Sequence, residues 1–144
     1  MLLKRIISAA VLAPIILLDI YVGGLWFDLL VVLAAALMGW EWARMCGEGR
    51  LGPGGFVAIA ALIGVPTVFA LGASSHALAE LLLGVVLAGA VAFFTRPKQL
   101  PWIVLGTLYI GLACLALLWL RNVPAEGRNL VFWLLAVVWA TDIG

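Results

Sequence analysis

Charged residues divide the chain into apolar runs, most of them close to the length of a membrane-spanning helix. A helix that crosses the hydrocarbon layer needs about 20 apolar residues, because each residue advances it by about 1.5 Å. Of the 144 residues, 67% are hydrophobic and only 10% are charged. A soluble domain of this size could not bury so much apolar surface, so lipid must cover part of it. The runs are residues 6–27, 29–43, 56–71, 78–94, 101–120 and 130–144.

These runs predict an all-α fold, a polytopic helical bundle integral to a membrane, with five spans and the start of a sixth. The last run, residues 130–144, is too short to cross the bilayer comfortably. We therefore interpret residues 1–144 as the N-terminal transmembrane part of a single membrane domain, truncated before its remaining segments.

Positive charge is distributed unevenly between the two sides of the predicted bundle. If every run crosses, six Lys and Arg residues fall on one side and two on the other. Because short cytoplasmic loops are enriched in Lys and Arg, the side with six is predicted to be cytoplasmic, and the N-terminus lies on it. The six are Lys4, Arg5, Arg44, Arg50, Arg96 and Lys98, and the two are Arg121 and Arg128.

Several classes of function are excluded by composition. The net charge of +1 gives no basic field for nucleic acid, so we expect no nucleic-acid partner. Two isolated cysteines, Cys46 and Cys114, rule out a disulfide framework and a cysteine zinc site. The single histidine, His76, lies in a polar turn on the far side, where we expect it to be solvated.

Two carboxylates at the predicted cytoplasmic side are the candidate site residues, since ionisable residues in or beside spans are functional candidates. Asp142 follows an uncharged apolar stretch and either helps to hold a metal or phosphate group or is a solvated helix end. Glu41 either pairs with Arg44, three residues on, or lies at the mouth of a polar cleft. Asp19 is interpreted as reaching the opposite interface.

Three stretches together point to a known family. The opening, residues 3–14, reads LKRIISAAVLAP; the second run ends in Trp40-Glu41-Trp42; and the chain finishes in Trp139-Ala140-Thr141-Asp142-Ile143-Gly144. In this order they resemble the phosphatidate cytidylyltransferases, or CDP-diacylglycerol synthases. The last stretch is the most specific, because it is similar to the start of the family's W-x-x-D-x-x-A-Y-x-x-G segment.

The resemblance implies an inner-membrane enzyme that transfers the cytidylyl group of CTP to phosphatidic acid, giving CDP-diacylglycerol and pyrophosphate. It implies Mg²⁺ as cofactor, the bilayer as surroundings, and Asp142 as a catalytic and substrate-binding residue, with Glu41 lining the site. No metal ligand is assigned in this chain. The family's S-P-K-K-T and H-G-G-x-x-D-R-x-D segments, which carry most of its catalytic groups, do not occur in these 144 residues. We therefore expect this piece to be inactive alone.

A second class of function stays open at this point. Prolines within spans and Asp19 would also suit a small non-enzymatic membrane protein, such as a transporter subunit or scaffold. Transporters commonly contain paired discontinuous helices in related halves, and the sequence shows no such symmetry. Glycines such as Gly84 and Gly111 would allow close helix packing, within one chain or in a homo-oligomer.

Overall fold

The structure is a computed structural model that describes the backbone of residues 2–143 and the side chains of residues 12–141. The all-α prediction is confirmed, since the described backbone contains helices and no β-strand. Short 3₁₀ turns, Ser74–His76 and Pro97–Gln99, precede the fourth and fifth helices. The helices are α1 (Leu2–Val22), α2 (Leu25–Cys46), α3 (Pro53–Ala70), α4 (Ala77–Thr95), α5 (Leu100–Arg121) and α6 (Gly127–Ile143).

Local sequence explains several helix ends. Pro53 takes the first position of α3, where its missing N–H costs nothing and its fixed φ suits a helix. Glu80 lies in the first turn of α4, where a carboxylate interacts favourably with the helix dipole. In α2 the charges follow the same rule, with Asp28 in the first turn and Arg44 in the last.

The boundary between the first two helices differs from the prediction. Residues 6–27 were expected to form one span, but α1 ends at Val22 and α2 begins at Leu25. Gly23 and Gly24 have φ of 67° and 61°, a left-handed conformation that glycine adopts without strain. The chain therefore turns at this glycine pair, and the second helix begins before the predicted residue 29.

Within the described residues, four helices are long and apolar enough to cross a membrane: α2, α3, and α4 and α5 with their 3₁₀ turns. Two shorter apolar helical stretches, Leu12–Val22 and Gly127–Thr141, accompany them. These helices agree with a multi-pass membrane bundle. The count of five spans and the start of a sixth stays a prediction.

The chain forms two compact units. Unit 1 comprises Met1–Phe27 and Trp119–Gly144, and unit 2 comprises Asp28–Leu118. In unit 1, α1 packs against α6. Its interior includes the buried side chains of Ile20, Phe27 and Val131.

An arginine holds the end of α1 within unit 1. The Nε of Arg121 donates a hydrogen bond of 3.1 Å to the carbonyl oxygen of Ile20. Its guanidinium lies over Gly23, in space that a Cβ there would occupy, and 5.9 Å from the Phe27 ring centroid. The absence of a side chain at Gly23 therefore leaves the space that the Arg121 guanidinium occupies.

Small residues allow the helices of unit 2 to pack closely. A Cβ added at Gly54 of α3 would lie 3.0 Å from the Cβ of Ala92 in α4, and one added at Gly84 would overlap Ala61. Such contacts bring helix backbones near one another, and packing then supplies the attraction. This close packing fixes the positions of the helix ends in unit 2, which carry the charged side chains.

Candidate functional site

One end of unit 2 gathers the C-terminal ends of α2 and α4 and the N-terminal ends of α3 and α5. A cavity of about 520 Å³ joins the turn after α2 to the connection before α5, and Glu48, Arg96, Lys98 and Trp102 are among its lining residues. We call this part of the molecule the basic end, defined by Arg44, Arg96 and Lys98. By the charge rule it is the predicted cytoplasmic side.

A tryptophan fastens α2 to α5 at the basic end. The indole Nε1–H of Trp42 donates a hydrogen bond of 2.9 Å to the carbonyl oxygen of Trp102. The same indole lies on Gly106, one helical turn further along α5, where a Cβ would overlap it. The lack of a side chain at Gly106 therefore lets Trp42 reach the α5 backbone.

Glu41 lies on the neighbouring face of α2 and is exposed. It lines a cavity of about 620 Å³ together with Leu37, Trp40, Arg44 and Met45. The guanidinium of Arg44 lies 4.9 Å from the Trp40 ring centroid, which is the geometry of a cation–π contact. Glu41 is thus one wall of a cavity that also carries a cation, and its role in substrate binding stays a prediction.

Asp142 belongs to the last turn of α6 by its backbone. Its side chain lies outside the described residues, so its assignment as a catalytic and substrate-binding residue stays a prediction.

Asp19 and His76, the other two ionisable residues considered in the sequence, both have described side chains. Asp19 lies in the last turn of α1, beside the glycine turn, and its carbonyl oxygen accepts a 2.8 Å hydrogen bond from Gly23 N–H. Its Oδ2 is buried without a hydrogen-bond partner among the described side chains. His76 is exposed, and its Nδ1 lies 3.1 Å from the Oγ of Ser75.

The magnesium ion implied by the resemblance finds no complete ligand set in the described residues. Mg²⁺ is bound octahedrally by oxygen, through carboxylates, substrate phosphates and water. No three His, Cys, Asp or Glu side chains converge among those the structure describes. The described residues alone therefore do not fit a magnesium site.

The assembly of the basic end was not predicted from the sequence. From the sequence, Arg96 and Lys98 served only to predict the orientation, Trp42 entered as part of the Trp40-Glu41-Trp42 motif, and Trp102 was not identified as a site residue. The Trp42–Trp102 contact spans 60 residues of chain, which no local periodicity can reveal. The signal available was Gly106, a residue without a side chain one turn from Trp102 in α5.

Apolar helices joined by short turns, with charged groups gathered at the basic end, define a multi-pass helical membrane protein. Residues 3–144 match the Cytidylyltransferase family, and the chain therefore belongs to that family. This confirms the resemblance drawn from the opening stretch, Trp40-Glu41-Trp42 and the final Trp139–Gly144 segment.

Curated relatives include the phosphatidate cytidylyltransferases of Brucella abortus biovar 1 (strain 9-941), Brucella suis biovar 1 (strain 1330) and Brucella melitensis biotype 1. Each is 32% identical over 143 residues, which cover 96% of this chain and 51% of the relative. The chain thus spans about half the length of the curated relatives it matches. No solved structure matches it significantly.

Proposed function

We propose that the protein to which this chain belongs transfers the cytidylyl group of CTP to phosphatidic acid, forming CDP-diacylglycerol. The observation that carries the proposal is the match of 96% of the chain to relatives named phosphatidate cytidylyltransferase. Membership of the Cytidylyltransferase family favours this enzyme over a transporter subunit or scaffold.

In the proposed reaction, a phosphate oxygen of phosphatidic acid attacks the α-phosphorus of CTP. A new P–O bond forms, the bond from the α-phosphorus to the bridging oxygen breaks, and pyrophosphate leaves with that oxygen. Mg²⁺ is the expected counter-charge for the triphosphate. Since the described residues do not form its site, we propose that its ligands come mainly from segments outside this chain.

Within that protein we propose that residues 1–144 form the N-terminal transmembrane part and are inactive alone. The chain spans 51% of the matched relatives, so about half of such a protein lies outside it. Asp142 is proposed to belong to the CTP or phosphate site, and Glu41 to line the cytoplasmic mouth.

The proposed location is the inner membrane with a cytoplasmic N-terminus, based on the six-to-two distribution of Lys and Arg. A reporter that is active only in the cytoplasm should therefore work when fused after Arg50 and fail when fused after Asn122. The opposite pattern would reverse the orientation.

Genetic complementation tests the activity. The complete gene should restore growth to a strain depleted of its own CDP-diacylglycerol synthase, and the 144-codon piece should not. Failure of a well-expressed complete protein to restore growth would count against the proposed function, and rescue by the piece alone would overturn its assignment as an inactive part.

A further inference from the structure

Three neighbouring cavities lie at the basic end. The first, about 620 Å³, includes Arg44 and Met45 in its lining, and the second, about 310 Å³, is lined by Trp42, Met45, Cys46 and Trp102. The third, about 520 Å³, shares Cys46 and Trp102 with the second. Adjacent cavities therefore share lining side chains, and we call the three together the interfacial groove.

The two ends of the interfacial groove carry different net charge. In the first cavity the cation Arg44 is balanced by the carboxylate of Glu41 and is already stacked on an indole. In the third cavity Arg96 and Lys98 face one carboxylate, that of Glu48. A phosphate is therefore attracted more strongly to the third cavity, where guanidinium and ammonium groups supply charge-assisted donors.

These two cations differ in how firmly they are held. Arg96 is half-buried, and its Cδ and Nε lie close to Gly52, about 3.4 Å from where a Cβ would stand. Lys98 is exposed and follows Pro97 in the 3₁₀ turn before α5. The cavity therefore contains the guanidinium of Arg96, held by its neighbours, and at its rim the ammonium of Lys98 on a flexible side chain.

The middle of the groove is aromatic and apolar. Trp102 is 58% exposed and forms part of its wall together with Trp42 and Met45. Exposed indoles next to cations at the ends of apolar helices are typical of the membrane–water interface. A ligand that fits both parts has a phosphate attached to an apolar body.

We propose that the interfacial groove binds the headgroup of an anionic phospholipid. Its phosphate lies at Arg96 and Lys98, and its glycerol and first chain carbons lie against Trp102, Trp42 and Met45. This inference rests on the proposed function, whose substrate phosphatidic acid is an anionic phospholipid, and adds to it the residues that hold the lipid; binding at these residues can be measured without any transfer reaction.

Cys46 provides a built-in reporter of occupancy. It is half-buried and lines both the second and the third cavity, whereas Cys114 is only 3% exposed. The experiment uses the complete protein in a nonionic detergent, with every cysteine except Cys46 replaced by Ala. The rate of N-ethylmaleimide labelling is measured as dioctanoyl phosphatidic acid, phosphatidylglycerol or phosphatidylcholine is added.

We expect both anionic lipids to slow labelling and phosphatidylcholine to leave the rate unchanged. Lys98→Gln should raise the lipid concentration for half-protection by about tenfold, the value of one charge-assisted hydrogen bond. Arg96→Gln should do the same, and Arg96→Lys should recover part of the loss. The matched control is Arg50→Gln, which removes one exposed charge from the turn after α2 and should shift half-protection by no more than about twofold.

The folding of each variant is checked by its labelling rate without lipid, which should equal that of the parent, because a distorted groove would change access to Cys46. Equal protection by phosphatidylcholine, no protection by any lipid, or unchanged half-protection in both Lys98→Gln and Arg96→Gln would overturn the inference. Protection by CTP in place of lipid would do so as well. Because labelling does not depend on turnover, absence of cytidylyl transfer would leave this result intact, and the reverse also holds.

Discussion

The indole N–H of Trp42 and the backbone carbonyl of Trp102 are joined by a 2.9 Å hydrogen bond that connects the end of α2 to the start of α5. This bond holds the Trp42 indole beside the Trp102 backbone, and both residues line the second cavity of the interfacial groove. The geometry of the basic end therefore depends on a contact between residues far apart in the chain.

Trp42→Phe removes the N–H donor and keeps most of the ring. We expect it to lower the free energy of unfolding by about 1 kcal/mol, the net value of a typical hydrogen bond. The thermal midpoint of the protein in detergent measures this. Trp133→Phe is the control, since Trp133 is 72% exposed, and equal midpoints for the two variants would contradict the assigned contact.

Two glycine-to-alanine changes on the facing helices α3 and α4 should differ in cost. A Cβ at Gly84 meets the Cβ of Ala61 with backbone close behind, so Gly84→Ala forces helices apart and should cost about 1–3 kcal/mol. A Cβ at Gly64 meets the carboxylate end of Glu80, which can swing aside, while Ala improves helix propensity by about 1 kcal/mol. Thermal unfolding should therefore show a clear loss for Gly84→Ala and little change for Gly64→Ala. The reverse order would refute this packing.

The turn between α1 and α2 offers a second matched pair. Gly23 and Gly24 both have positive φ, so replacement of either by Ala should cost about 1–2 kcal/mol. Nothing lies within 4 Å of a Cβ at Gly24, whereas one at Gly23 displaces the Arg121 guanidinium. Gly23→Ala should therefore lower the thermal midpoint further than Gly24→Ala, because it also breaks the bond from Arg121 to the Ile20 carbonyl. Equal losses would mean that Arg121 does not hold this turn.

The proposed site residues should separate kinetically in the complete enzyme. Asp142→Asn should lower kcat by roughly 10- to 100-fold, the range found when groups around a metal or phosphate site are removed. Glu41→Gln should change KM and leave kcat nearly unchanged, since Glu41 lines a cavity and is assigned no part in the chemistry. Glu126→Gln, at an exposed carboxylate, serves as the control. Wild-type kcat in Asp142→Asn would remove that residue from the proposed site.

The middle helices follow closely from the sequence because polar and helix-breaking residues bound them. Residues 78–94 and 101–120 were predicted, and α4 and α5 extend only slightly beyond them, as Ala77–Thr95 and Leu100–Arg121. For α4 and α5, hydropathy and the residues at the helix ends indicate the same boundaries, so the local sequence is sufficient to predict where each helix begins and ends.

The first turn and the groove were missed for different physical reasons. Leu25–Phe27 are apolar, so the apolar run continues past Gly23 and Gly24. Hydropathy therefore gives no sign of the change in backbone conformation at these two glycines. The groove depends on tertiary contact between separate helices, and its members are distant in the chain. The identity of the family, by contrast, followed from short motifs whose order could be recognised directly.

Transfer of label from CTP to lipid is the decisive measurement of the proposed cytidylyltransferase activity. Membranes containing the complete protein are incubated with phosphatidic acid and CTP labelled at its α-phosphate, and the lipid fraction is analysed. We expect labelled CDP-diacylglycerol in proportion to the complete protein, and none from residues 1–144 alone. Absence of any CTP-dependent lipid product from a folded complete protein would contradict the proposed function.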